Sequence, residues 1–248
     1  MPEPIQDMID RVSAIARWLY ERWAIADLPP LRLIAVFTIA ILALTLFQPT
    51  WQKARHGATI IHEMGHVAMG WLWGRKVQGI SLHSDTSGLT ITAGKEKGMG
   101  VLMTYMAGYP APSLVGLALV WASVSGYSGA ALTLVMALLL LAFWLIRNFF
   151  GFALLITALL GAGAVFWTAN PPVVTGFTLA VGIFLLLAGA RTCFDLRQTH
   201  QHGEGGESDA EMASRHSLLP ASAWVYIFIG VSLACILQGI NVIVSAAL

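Results

Sequence analysis

The sequence predicts an all-α polytopic membrane protein with about seven spanning helices, an amino-terminal amphipathic helix and a short cytoplasmic β-hairpin. Of its 248 residues, 57% are hydrophobic and only 11% are charged, whereas soluble domains are about 25% charged. The mean hydropathy is +0.72, and most of the chain lies in apolar runs of about 20 residues, which is the length that spans a bilayer. The net charge of +1 gives no indication of nucleic-acid binding.

Residues 1–30 form the first predicted unit, an amphipathic surface helix. Apolar positions such as Ile5, Ile9 and Val12 recur every three or four residues, and charged residues such as Asp7 and Arg11 lie between them. No continuous apolar core of the kind found in a signal peptide occurs here. We therefore expect a helix that lies on the bilayer or on the rest of the protein.

Residues 31–248 form the second predicted unit, a membrane-embedded domain. Its apolar runs are separated by proline, glycine, asparagine or charged residues, which favour breaks between helices. The seven predicted spans are 31–47, 57–73, 99–123, 129–146, 149–168, 173–190 and 221–248. The glycine-rich polar segment 198–208 is expected to be a mobile loop.

The lysines and arginines predict how the chain is oriented, because cytoplasmic loops are enriched in them. With seven crossings, every one of the 14 basic residues except Lys53 and Arg55 falls on the amino-terminal side. The prediction is a multi-pass protein of the cell membrane with a cytoplasmic amino terminus. Residues 75–94, which alternate around the turn-forming sequence Asp-Thr-Ser-Gly, then form a hairpin on the cytoplasmic side.

The second predicted span carries the sequence HEMGH, in which His62 and His66 are four residues apart. On a helix this spacing directs both imidazoles to one side, where they can hold one metal ion, and Glu63 lies on the adjoining face. Zinc bound there would activate water, and Glu63 would take the proton of that water as general base. An alternative is that the three residues satisfy one another or line a polar cavity.

The sequence resembles the site-2 protease family of intramembrane zinc metalloproteases. The resemblance lies in HEMGH and in four further segments: LHSDTSGLT at 82–90, AGYPAP at 107–112, Arg147-Asn148 and SDAEMA at 208–213. The similarity is greatest to short bacterial, actinobacterial-type members that lack a PDZ domain. This resemblance implies Zn²⁺ as cofactor, the bacterial inner membrane as location, and single-span membrane proteins such as anti-sigma factors as substrates. A metal transporter or a catalytically inactive metal-binding membrane protein is the alternative.

The third zinc ligand is left open between two aspartates. The wider family carries it in a Leu-Asp-Gly sequence, which this chain does not contain. Asp195 ends the sixth predicted span, but Arg191 one turn before it offers an ion pair. Asp209 begins a short helix, and the resemblance to the short bacterial members falls on it. Asp209 is therefore the preferred ligand.

Three further features are candidates for substrate binding or support of the site. Gly108, between Ala107 and the prolines of 107–112, is expected to bend or unwind its span, either as a kink without function or as a gate or substrate-facing wall beside the zinc. Asn148 either caps a turn or, by resemblance, hydrogen-bonds the substrate or the site. The hairpin 75–94 is either a solvated connector or an edge strand that holds the substrate extended.

Overall fold

The fold is mostly helical, and the computed structural model describes residues 3–23, 28–203 and 206–247. Parts of the predicted surface helix and loop, and Leu248 of the last predicted span, lie outside these residues. Within them, the helices are α1 Glu3–Arg22, α2 Leu31–Leu46, α3 Gln48–Leu72, α4 Met99–Met106, α5 Pro110–Val124, α6 Ser128–Leu145, α7 Phe149–Thr168, α8 Pro171–Gln201, α9 Asp209–Arg215 and α10 Ala221–Ala247. Strands β1 Lys76–Leu82 and β2 Gly88–Ala93 form an antiparallel pair.

The number of membrane spans in the described residues is four to six. Helices α6, α7, α8 and α10 are each long and apolar enough to cross a bilayer. Two further pairs qualify only jointly: α2 with α3, bent by 102°, and α4 with α5, bent by 61°. The predicted count of seven is therefore not confirmed, because the segments predicted as the first two spans form one bent pair.

The bend between α2 and α3 has a local cause and is held by side chains of α8. Phe47 is extended (φ −79°, ψ 115°) between the two helices, and a proline occupies the first turn of α3, where it removes no helical hydrogen bond. Arg191 donates to the Thr45 carbonyl at 3.3 Å and to Gln48 Oε1 at 2.8 Å. Trp51 Nε1 donates to Asp195 Oδ2 at 3.0 Å, so the bend is attached near the carboxyl end of α8.

These contacts contradict part of the predicted orientation. Helix α8 has 31 residues and is about 45 Å long. Arg22, at the end of α1, donates to the carbonyls of Trp167 and Ala169 just before α8 begins, so α1 ends far from the 199–209 loop. The end of α1 and the end of α8 therefore lie at opposite ends of the bundle, whereas the prediction places the amino terminus and the 198–208 segment on one cytoplasmic face. The reason is that α3 does not cross the bundle: it begins beside Asp195 and ends at the hairpin near Ile146, all at the same end.

The predicted hairpin is present, and one of its two edges is covered. Residue Ile146 forms a parallel bridge with Ile80 of β1. The Asn148 side chain donates to the Leu82 carbonyl at 2.5 Å and accepts from the Leu82 N–H at 3.1 Å, as a neighbouring strand would. Among the described residues, the outer edge of β2 has no strand partner.

The corrected orientation predicts which engineered cysteines share a face. Glu21→Cys and Tyr127→Cys should react with an impermeant maleimide from one side of sealed vesicles, and Gln201→Cys from the other side. Both native cysteines are buried, so background labelling should be low. Reaction of Glu21→Cys and Gln201→Cys from the same side would contradict the arrangement of α1, α2 and α8.

Candidate metal centre

Three potential ligand atoms from two distant parts of the chain converge at the middle of α3. The Nε2 atoms of His62 and His66 are 3.1 Å apart. Oδ2 of Asp209 lies 3.1 Å from the first and 3.2 Å from the second. The three atoms thus form a nearly equilateral triangle, with edges close to those expected for ligands about 2.0–2.2 Å from one zinc ion.

Helix α9 brings Asp209 to the imidazoles. Ser208 caps this helix by accepting from the Glu211 N–H at 3.3 Å, and His200 at the end of α8 contacts the Ser208 hydroxyl at 2.7 Å. Ala210 and Ala213 are fully buried against an apolar cluster of α4, α8 and α10. The cap and the buried alanines fix the first residue of α9 beside α3.

The imidazole of His66 is oriented by a backbone carbonyl. Its Nδ1 lies 2.7 Å from the Thr104 carbonyl oxygen, and since a carbonyl only accepts, Nδ1 carries the hydrogen. In the neutral ring, Nε2 then keeps its lone pair for a metal, an arrangement typical of metal-ligating histidines. The Tyr109 ring packs edge-on against His62, with centroids 4.8 Å apart, and stacks on Phe228.

The chemistry of this donor set fits a bound cation. Asp209 Oδ2 is buried and has no hydrogen bond of normal geometry within the described parts of the chain. Two nitrogen lone pairs and a carboxylate oxygen at about 3 Å repel one another unless a positive charge lies among them. Two imidazoles and one carboxylate form a known catalytic zinc set.

Glu63 lies beside these atoms but has its own partners. One of its carboxylate oxygens is within 4.8 Å of the two imidazole nitrogens. Its Oε2 accepts from the Thr90 hydroxyl at 2.6 Å, and a Cβ on Gly88 would lie 2.3 Å from its Oε1. Both partners belong to β2, and Glu63 itself is only 3% exposed. The carboxylate is therefore fixed between α3 and the hairpin.

The other predicted site residues fall in three different places. Asp195 bonds Trp51 and Arg191 and does not join the cluster. Asn148 bonds the β1 backbone rather than lining the cluster. Gly108 lies directly against the imidazoles: its Cβ would be 2.5 Å from Nε2 of His66 and 2.6 Å from Nε2 of His62.

Sequence reasoning did not single out Gly88, Thr90 or Thr104. The first two lie two residues apart in β2, so alternation predicts that they share a face, but only the structure shows that this face meets Glu63. The Thr104 contact is made by a backbone carbonyl, for which residue type gives no signal.

A cavity of about 270 Å³ opens beside the cluster and provides room for a ligand. Polar side chains account for much of its lining, and His62, Glu63, Tyr109 and Asp209 all contribute. Arg55 and Glu207 also line it, so the cavity extends toward the end of the bundle where α3 begins. Glu63 therefore borders a polar cavity although it is only 3% exposed.

Comparison with known proteins gives one informative result. The family model described as Peptidase M50B-like matches residues 34–239, which extend from α2 into α10 and make up well over half of the chain. No curated protein and no solved structure matches the chain.

The close approach of Gly108 predicts an effect on metal content. Gly108→Ala should place a methyl group among the imidazole nitrogens and lower bound metal per chain well below that of the wild type. Gly161→Ala is the matched control, since a Cβ there meets no atom within 4 Å. Metal analysis of both purified variants checks this, with size-exclusion profiles to show that each is folded. Full metal content in Gly108→Ala would contradict the geometry.

Proposed function

This chain belongs to the Peptidase M50B-like family, within the site-2 proteases, and from this membership we propose that it is an intramembrane zinc metalloendopeptidase. Members of this family are membrane metallopeptidases, and the apolar helices make this chain a multi-pass membrane protein. The observation that carries the specific proposal is the triangle of His62, His66 and Asp209 beside a separately held Glu63.

His62, His66 and Asp209 hold the metal, and Glu63 is the general base. The division between the two carboxylates follows from their contacts. Asp209 Oδ2 lies within 3.2 Å of both imidazole nitrogens, whereas Glu63 Oε2 is already bonded to Thr90. A carboxylate that is held beside the ligands, and not among them, is free to accept a proton.

A bound zinc ion supplies Lewis acidity, which makes water easier to deprotonate and a peptide carbonyl easier to attack. Glu63 takes a proton from the attacking water and passes it to the nitrogen of the leaving amine. The Thr104 carbonyl holds the hydrogen of His66 on Nδ1, so that the lone pair of Nε2 would be available to the metal. Peptide hydrolysis needs the metal and the base within a few ångströms of each other, and a Glu63 carboxylate oxygen lies within 4.8 Å of the imidazole nitrogens that would hold the metal.

The substrate binds as an extended segment along the open edge of β2. A helical peptide bond is hydrogen-bonded and shielded, so a spanning substrate has to unwind before attack. The His83 N–H donates to the Ser87 carbonyl, and in an antiparallel pair the residues alternate between bonding the partner strand and facing outward. The backbone groups of Gly88 and Thr90 are therefore directed away from β1. Those groups can pair with an added strand beside Glu63.

Single-span membrane proteins, including anti-sigma factors, are the proposed substrate class, and the bacterial cell membrane is the proposed location. Ten of the 14 lysines and arginines lie at the end of the bundle that carries the hairpin, which favours a cytoplasmic position for that end. The amino-terminal helix then lies on the opposite face. A metal transporter or an inactive metal-binding protein would have no use for a carboxylate held beside the ligands.

Replacing the general base tests the proposal directly. Glu63→Gln should lower the cleavage rate of a single-span substrate in detergent by about 100- to 10,000-fold, because the amide cannot take the proton of water. Zinc should remain close to one per chain, and a chelator should abolish wild-type cleavage. A Glu63→Gln variant that cleaves at the wild-type rate would refute the proposed mechanism.

Replacing the two competing aspartates tests the ligand set. Asp209→Ala should lose both metal and activity, since it removes one of three ligands. Asp195→Asn is the control, because an amide oxygen can still accept from Trp51, and it should keep both. The reverse pattern of metal content would transfer the ligand role to Asp195.

A further inference from the structure

The direction of the Glu63 carboxylate is set from outside its own helix. A glutamate side chain has three rotatable bonds, and rotation about the last of them is broad. The proposed mechanism needs one carboxylate oxygen aimed at the attacking water. In the structure the other oxygen, Oε2, is held by the Thr90 hydroxyl at 2.6 Å. Hydrogen bonds of this charge-assisted kind are short and strong.

Thr90 and Gly88 act on opposite oxygens of the same carboxylate. The Thr90 hydroxyl also lies 3.3 Å from the backbone carbonyl oxygen of Glu63, so it contacts both the backbone and the carboxylate of this residue. Gly88 leaves just the space that Oε1 occupies, since a Cβ there would be 2.3 Å away. The face of β2 that meets α3 thus fixes the carboxylate by one bond and one steric limit.

The start of β2 is itself attached to α3 at a second point. Thr59, one turn before Glu63, donates from its hydroxyl to the Thr86 carbonyl at 3.0 Å. Thr86 has a left-handed backbone conformation (φ 73°) and is buried, which costs free energy for a β-branched residue and persists only when its surroundings hold it. The hairpin tip is therefore fixed against α3 immediately before Gly88 and Thr90.

We propose that Thr90 is a positioning residue, which orients the Glu63 carboxylate from the same strand edge on which the substrate is bound. This inference rests on the proposed function. The Thr90 backbone pairs with the extended substrate, and the Thr90 side chain holds the Glu63 carboxylate. One residue therefore sets the register between the scissile peptide bond and the proton acceptor. A shift of β2 along α3 would displace both together.

The test compares three variants on β2. Thr90→Val keeps the shape of the side chain and removes the hydroxyl, so kcat should fall about 10- to 100-fold, with KM within twofold of the wild type and zinc at one per chain. Thr90→Ser keeps a hydroxyl and should recover most of kcat. Thr92→Val is the matched control on the same strand face: its hydroxyl accepts from Arg75 and has no hydrogen bond to Glu63, so kcat should stay close to the wild-type value.

A double-mutant comparison separates orientation of the base from general support of the hairpin. If Thr90 acts through Glu63, Thr90→Val should cause no further loss in a Glu63→Gln background. Substrate binding to that inactive background should also be unchanged. An unchanged kcat in Thr90→Val, or a rise in KM alone, would overturn the inference while leaving the protease assignment intact.

An infrared measurement makes the contact testable without any cleavage assay. The difference spectrum between the wild type and Glu63→Gln isolates the carboxylate bands of Glu63. Thr90→Val should shift these bands because the carboxylate loses its donor, whereas Thr92→Val should not. An unshifted band would refute the inference, and a wild type that cleaves no single-span substrate would refute the proposed function separately.

Discussion

The rest of the structure depends on the gathering of two imidazole nitrogens and one carboxylate oxygen within an apolar bundle. These three atoms repel one another unless a proton or a metal ion lies among them, and a carboxylate inside a membrane protein needs a partner. Two helices hold the three atoms: α3 carries His62 and His66, with the Thr104 carbonyl orienting the second ring, and the capped, alanine-packed start of α9 carries Asp209. Asp209 can approach the two imidazoles only if α3 lies at the same end of the bundle as α9.

The position of α3 is set by the bend between α2 and α3. Arg191 and Asp195 of α8 bind both sides of the bend, so α3 begins near one end of the bundle and stays there. Asp195 thus has a structural role, and its carboxylate is not available to the cluster. A site at this end is open to water through a polar cavity.

Local features of this structure can be predicted from the sequence, but contacts between residues far apart in the chain cannot. The spacing of His62 and His66 places them on one helical face, α7 has the bounds predicted from its apolar run, and the alternation of 75–94 predicts the hairpin. Hydropathy depends on the length of an apolar run and not on its direction, so two helices joined by a 102° bend give the same sequence signal as two separate crossings. Asp209 lies 143 positions after His66, and no local pattern could decide between it and Asp195. The contact of Thr90 with Glu63 depends in the same way on how the hairpin meets α3.

Asn148 gains a role that its contacts explain better than direct binding of substrate. An exposed strand edge invites pairing with other chains, and proteins usually cover such edges. Here the Asn148 amide occupies both backbone groups of Leu82, and residue 146 bridges Ile80, so β1 is closed. Among the described strands, the edge of β2 is left open, and that strand carries Thr90 and Gly88 against Glu63. Because Asn148 closes the edge of β1, the proposed substrate segment is left with the edge of β2, beside Glu63, the proposed general base.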